Sequence, residues 1–159
     1  MIEVGNGIPD VELVDTDLKK VKLSGIADNT TILAFFPGAF TGVCTKEMCT
    51  FRDSMSKLDD AGVKVIGISV DGPFANKAFK EHNRIGFALL SDYSREATKK
   101  FGIELKDFAN MKGYTASKRA IFIVDRNGKI AFKWVSDDPT VEPDYKTVIA
   151  EAKKQDSRA

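Results

Sequence analysis

Three runs in the 159-residue chain, Thr30 to Phe36, Val63 to Val70 and Arg119 to Asp125, are built largely of β-branched, aliphatic and aromatic residues and are bounded by turn residues. Such runs read as strands buried on both faces, so something must cover both faces. Helical stretches at Thr45 to Asp60, Pro73 to Asn83, Tyr93 to Phe101 and Asp144 to Lys154 supply the cover. Strands alternating with helices predict an α/β domain of three layers, a mixed central β-sheet flanked by helices with parallel crossovers in its middle. Near the start, Val11 to Val14 and Val21 to Leu23 alternate apolar and polar around Asp15-Thr16-Asp17, the pattern of an N-terminal β-hairpin. Arg126-Asn127-Gly128 leads into a further strand over Lys129 to Val135, a hairpin at one edge, because Asn-Gly suits positive φ. Residues 104 to 118 and 136 to 143 read as loops. No repeat or linker divides the chain, and its length suits a single domain over residues 1–159.

Charge narrows the partners. The 24 basic residues nearly cancel the 23 acidic ones, leaving +1 and no field to draw nucleic acid or an anionic membrane. The first residues lack a basic region followed by an apolar run, and no later stretch reaches transmembrane length, so a cytoplasmic location is expected. Two cysteines, Cys44 and Cys49, are too few for a secreted disulfide framework, and a close pair points to redox or metal chemistry. Metal is disfavoured because a structural zinc site wants four Cys or His ligands and the chain adds only His82. Neither a metal nor another cofactor is expected.

The segment Phe35-Phe36-Pro37-Gly38-Ala39-Phe40-Thr41-Gly42-Val43-Cys44 passes from a buried strand through a Pro/Gly loop into a helix whose first turn holds Cys44. A thiol there faces unpaired backbone N–H groups and the positive end of the helix dipole, which favour thiolate over thiol. Sites in open α/β sheets also lie beyond the carboxyl ends of strands, where this loop falls. Cys49 follows five residues later. In a continuous helix, residues i and i+5 have Cα atoms roughly 8 to 9 Å apart on different faces, whereas a disulfide needs about 7 Å or less. If the two bridge, the first turns of their helix must unwind.

Pro37-x-x-x-Thr41-x-x-Cys44 resembles the peroxiredoxin motif P-x-x-x-[TS]-x-x-C at every defined position. Further matches spread along the chain at Gly67 to Asp71, Leu90-Ser91-Asp92 and Arg119 to Asp125. The spacing from Cys44 to Cys49 is similar to that of the Q-type subgroup, the bacterioferritin comigratory proteins. The resemblance implies a thioredoxin-like fold and a peroxidase in which Cys44 attacks hydrogen peroxide or an organic hydroperoxide. It also implies that Cys49 resolves the sulfenic acid as a disulfide, which thioredoxin or a glutaredoxin-like protein then reduces. Four site residues carry over by position as Pro37, Thr41, Cys44 and Arg119. Pro37 would shape and shield the site, Thr41 would hydrogen-bond the peroxide, and Arg119 would hold positive charge toward the sulfur. Glu47, one helical turn past Cys44, would orient Arg119. Relatives of this type are monomers or homodimers, and the stretch from Trp134 to Pro139 is a candidate interface.

Magnitude assigns the roles. Complete ionisation of an ordinary thiol at pH 7 raises the thiolate fraction only about 30-fold, so larger acceleration must come from stabilising charge on the leaving oxygen. Thr41, Arg119 and the N–H groups near Val43 and Cys44 are the groups available for that. Two other readings use the same residues: a thiol–disulfide oxidoreductase, and a redox sensor or holdase that binds a partner when oxidised. The first generally uses C-x-x-C rather than the C-x-x-x-x-C found here. His82, among charged neighbours, reads as an exposed helix residue, and Phe35, Phe36, Phe40 and Phe51 read as core and pocket wall, with Phe40 placed to contact an alkyl peroxide.

Overall fold

In the computed structural model, which describes residues 1–26 and 28–157, the chain follows the expected alternation. Ala27, Arg158 and Ala159, at the margins of the expected elements, lie outside the described residues. The strands are β1 (Glu12–Val14), β2 (Lys20–Lys22), β3 (Thr31–Phe35), β4 (Lys64–Ser69), β5 (Ala88–Ser91), β6 (Glu104–Leu105), β7 (Ala116–Ser117), β8 (Arg119–Val124) and β9 (Ile130–Ser136). The helices are α1 (Gly42–Asp53), α2 (Met55–Asp60), α3 (Pro73–His82), α4 (Glu96–Phe101) and α5 (Tyr145–Ser157).

Seven strands form one sheet in the order β2-β1-β5-β4-β3-β8-β9. β3, β4 and β5 are parallel, β8 runs antiparallel to β3, and both edges end in antiparallel hairpins rather than one. The central strands are buried along nearly their whole length because helices cover both faces. One core lies between the sheet and α1, α3 and α5, around Phe36, Met48, Phe51, Phe79, Val148 and Ala152. The other gathers Phe35, Phe101 and Phe122 on the opposite face, with ring centroids 4.9 to 5.9 Å apart.

Several boundaries move for local reasons. The helix expected over Thr45 to Asp60 starts at Gly42 and breaks at Ser54, whose N–H is shared between the Thr50 and Phe51 carbonyls while its hydroxyl bonds back to Thr50 O. The helix expected from Tyr93 begins only at Glu96, where the Asp92 carboxylate accepts the N–H groups of Ala97 and Thr98. β5 is an added strand: Ala88, Leu89 and Leu90 carry little β preference, and pairing with β4 decides their conformation. The stretch 104 to 118 carries the small β6-β7 sheet and an irregular 3-10 turn, Phe108–Asn110, with left-handed backbone at Asp107 before it and at Ala109 and Asn110 within it. In the turn between β8 and β9 only Gly128 has positive φ; the Asp125 carboxylate bonds the N–H groups of Asn127 and Lys129.

One glycine lets side chains of α1 and β5 pack closely over the sheet. A Cβ on Gly67 of β4 would sit 2.6 Å from Leu89 Cδ2 and 3.2 Å from Met48 Sδ, so those side chains would have to move. Among the described residues no helix is long and apolar enough to cross a membrane.

Candidate active site

Strand register brings the site together. β3 ends at Phe35 and β8 begins at Arg119, and Phe35 pairs with Ala120, so Arg119 emerges beside Phe36 where the Pro37 loop starts. Asp71, just past β4, receives the Ala39 N–H at 2.7 Å and fixes the middle of that loop. The loop delivers Thr41 as the N-cap of α1, with φ −74° and ψ 150°. An N-cap threonine usually accepts an N–H from the first helical turn. Here its hydroxyl donates back to Gly38 O at 2.9 Å, and the first i→i−4 bond is Thr45 N–H to Thr41 O. The N–H groups of Gly42, Val43 and Cys44 precede that bond and stay open at the positive end of the helix.

Cys44, at the third helical position, is fully buried. Arg119, also buried, donates through Nη2 to Cys44 Sγ at 3.2 Å and through Nη1 to Glu47 Oε1 at 3.1 Å. Its Nε and Nη2 also donate to the Pro139 carbonyl at 3.1 and 2.7 Å. The guanidinium is thus held on three sides, and its charge faces the sulfur. Burial pushes the Glu47 carboxyl up against the pull of Arg119, and Glu47 Oε2 has no hydrogen-bond partner. The less charge Glu47 carries, the more of the Arg119 field reaches Cys44.

A cavity of about 240 Å³ opens at this point, lined by Pro37, Thr41, Val43, Phe108, Arg119 and Pro139 among others. It is a mostly apolar recess whose polar side chains are Thr41, Arg119 and Thr140. Because the Thr41 hydrogen is committed to Gly38 O, its oxygen is free to accept a hydrogen bond from a bound hydroxyl or hydroperoxide. Pro37, Thr41, Cys44, Arg119 and Glu47 therefore converge. Sequence reading missed the Pro139 carbonyl, Phe108 and Asp71. Backbone groups carry no sequence signal, and Phe108 comes from a loop that had no pattern.

Cys49 is not part of that cluster. It lies in the same unbroken helix, half-buried, with its thiol 3.8 Å from Asn83 Oδ1, and both cysteines are free thiols. Arg52, one turn on, donates to the Asn83 carbonyl at 2.6 Å, fastening this side of α1 to the end of α3. Phe35, Phe36 and Phe51 are core as expected, but Phe40 is not: it is 52% exposed and absent from the cavity lining, because its left-handed backbone in the loop turns its ring onto Phe79 and the exposed His82. Trp134 packs, half-buried, against the core.

The loop 136 to 143 closes the site from the β9 side. Lys46 of α1 pairs with Glu142 at 3.0 Å, and the Tyr145 hydroxyl donates to the other Glu142 oxygen at 2.6 Å. The Tyr145 bond, with Lys46 beside it, holds the Glu142 carboxyl below the ordinary carboxylate range despite partial burial. A depressed folded value contributes stability that is present above the unfolded pKa and lost as pH falls through the folded one, so the Glu142 carboxylate is ionised at neutral pH. Burial and acceptance by Glu142 push the Tyr145 phenol far up, so it remains a donor.

Among known proteins, the model of the AhpC/TSA family matches residues 4–133. Chloroplastic peroxiredoxin Q of Oryza sativa subsp. japonica is 34% identical over 131 residues, 82% of this chain but 58% of that protein, so the chain spans little more than half of it. The putative peroxiredoxin bcp of Coxiella burnetii is 35% identical over 133 residues, 84% of this chain and 88% of that one. The crystal structure of a peroxiredoxin-like protein from Aquifex aeolicus superposes with a TM-score of 0.85 at 31% identity, covering 97% of this chain and 88% of the other.

Proposed function

This chain belongs to the AhpC/TSA family, among relatives named peroxiredoxin Q and peroxiredoxin bcp, and we propose on that premise that it is a thiol-dependent peroxidase using Cys44 as nucleophile. The observation that carries the reading is the Arg119 guanidinium 3.2 Å from a buried cysteine sulfur at an open helix start. The Cys44 thiolate attacks one oxygen of a hydroperoxide: an S–O bond forms, the O–O bond breaks, and the departing oxygen takes a proton to leave as water or an alcohol. The sulfur is oxidised to sulfenic acid and the peroxide is reduced. Arg119 and the N–H groups of Val43 and Cys44 stabilise charge on the oxygens as they separate. Thr41 accepts the peroxide hydrogen and fixes its approach, while Pro37 shapes the wall. Glu47 and the Pro139 carbonyl orient Arg119. Hydrogen peroxide fits the recess, and Val43, Phe108 and Pro139 give the substituent of an organic hydroperoxide an apolar surface.

Cys49 then condenses with the sulfenic acid: the S–S bond forms, the S–O bond breaks and water leaves. A dithiol protein of the thioredoxin or glutaredoxin kind reopens the disulfide by exchange. Residues 1–159 act as one domain, supported by a single seven-stranded sheet with a core on each face. A cytoplasmic setting, where thiols are kept reduced, suits two free cysteines. Monomer and homodimer are both compatible with a site built from one chain.

Because one unbroken helix holds both cysteines, disulfide formation requires α1 to unwind between them. Amide exchange across residues 44 to 52 is expected to accelerate on oxidation, and unchanged exchange would remove the unwinding step. Cys49→Ser is expected to keep near-normal peroxide turnover with dithiothreitol and to lose most of it with a thioredoxin-type reductant. Equal loss with both would deny Cys49 its resolving role.

A further inference from the structure

We propose that Glu142 is a positioning residue that clamps the helix carrying both cysteines and thereby sets the rate at which the Cys44–Cys49 disulfide forms. The inference rests on the peroxidase reading above. Lys46 lies between the two cysteines, within the turns that must open, and its ammonium is 3.0 Å from Glu142 Oε2. Glu142 Oε1 receives the Tyr145 hydroxyl at 2.6 Å. Tyr145 in turn meets the Thr50 side chain and stacks edge-on against Phe51, with ring centroids 5.5 Å apart. One short segment thus grips α1 at Lys46, Thr50 and Phe51.

The grip has a fixed base. Val148 and Ala152 seat α5 in the core, Pro143 is buried, and Arg126 pairs with Asp156 at 2.8 Å near the far end of that helix. Just upstream of Glu142, the chain folds on itself through Ser136, Asp138 and Thr140, which exchange hydrogen bonds at 2.6 to 3.1 Å. Unwinding α1 therefore means breaking the Glu142 contacts while their frame stays put. The Lys46 side chain is 70% exposed, so its ion pair is a modest tie to α1, and the Tyr145 hydroxyl holds the 25%-exposed Glu142 carboxylate in place to make it. Until α1 opens, the Cys44 sulfenic acid is exposed to a second hydroperoxide, which would transfer another oxygen to give sulfinic acid and water or an alcohol. The clamp then favours the folded, peroxide-reactive form at the expense of fast resolution.

The test uses Glu142→Ala and Lys46→Met, which break the same pair from opposite sides, and their double variant. In stopped flow with one equivalent of hydrogen peroxide, each is expected to form disulfide about two- to fivefold faster than wild type. The preceding peroxide step should move by less than about twofold, which general destabilisation of the site would not spare. The double variant should be little faster than either single one, and the sulfinic fraction under excess peroxide should fall. Amide exchange across residues 44 to 52 of the reduced variants should rise in parallel. Unchanged or slower disulfide formation overturns the proposal, as does unchanged exchange. A wild-type protein that consumes no peroxide overturns the peroxidase reading, and the exchange measurement still judges the clamp by itself.

Discussion

Arg119→Ala is expected to slow the reaction with hydroperoxide by about 10² to 10³, the usual cost of losing one donor aimed at developing negative charge. Loss of thiolate alone cannot reach that size, since an ordinary thiol is already a few per cent ionised at pH 7 and the deficit is bounded near 30-fold. The two causes separate with pH. A thiolate deficit fades as the solution becomes alkaline enough to ionise any thiol, whereas a missing transition-state donor does not. A fall below 30-fold that vanishes at alkaline pH would refute the assignment. The substitution also leaves Glu47 buried without its donor; burial that already pushes this carboxyl up then keeps it protonated, at the cost of an unpartnered polar group, about 1 to 3 kcal/mol. Arg119→Met with Glu47→Gln keeps a neutral side chain at both positions and should show the same kinetic loss. Arg119→Lys keeps the charge but not the fork that reaches Sγ, Glu47 and Pro139 O together, and should fall between.

Cys44→Ser is expected to reduce peroxide consumption to the buffer background, a loss of at least about a thousandfold, as for removal of a nucleophile in other enzymes. Serine is nearly isosteric, and its hydroxyl can still accept from Arg119 Nη2, so the fold should survive, as an unaltered circular dichroism spectrum would verify. A hydroxyl is far harder to ionise than a thiol and forms no sulfenic acid. Retained turnover with dithiothreitol would therefore overturn Cys44 as the nucleophile. If that activity were lost in Cys49→Ser, the nucleophile would be Cys49; if it survived in both, the cysteine-peroxidase reading would fall.

Elements with a local signal were legible in the sequence. β3, β4 and β8 announce themselves by unbroken β-branched and aromatic runs, and Cys44 sits in a Pro/Gly loop running into a helix. β5 was not legible, because Ala-Leu-Leu suits a helix as well as a strand until β4 lies beside it. The break at Ser54 and the late start of α4 were hidden likewise, since one turns on the Ser54 hydroxyl donating to Thr50 O and the other on the Asp92 carboxylate accepting the N–H groups of Ala97 and Thr98.

For Cys44 and Cys49, the sequence by itself determined that a cysteine stands at a helix start, and that its neighbour five residues on cannot reach it while the helix is whole. Both statements follow from short-range geometry, which a dozen residues contain. Only tertiary structure decided what surrounds the sulfur. Arg119 is 75 residues away along the chain and arrives through the pairing of Phe35 with Ala120; the Pro139 carbonyl, Phe108 and the Glu142 clamp arrive from loops with no periodicity. Such contacts depend on strand register and on how closely helices pack against a sheet, as Gly67 allows α1 to do, and those are properties of the whole fold.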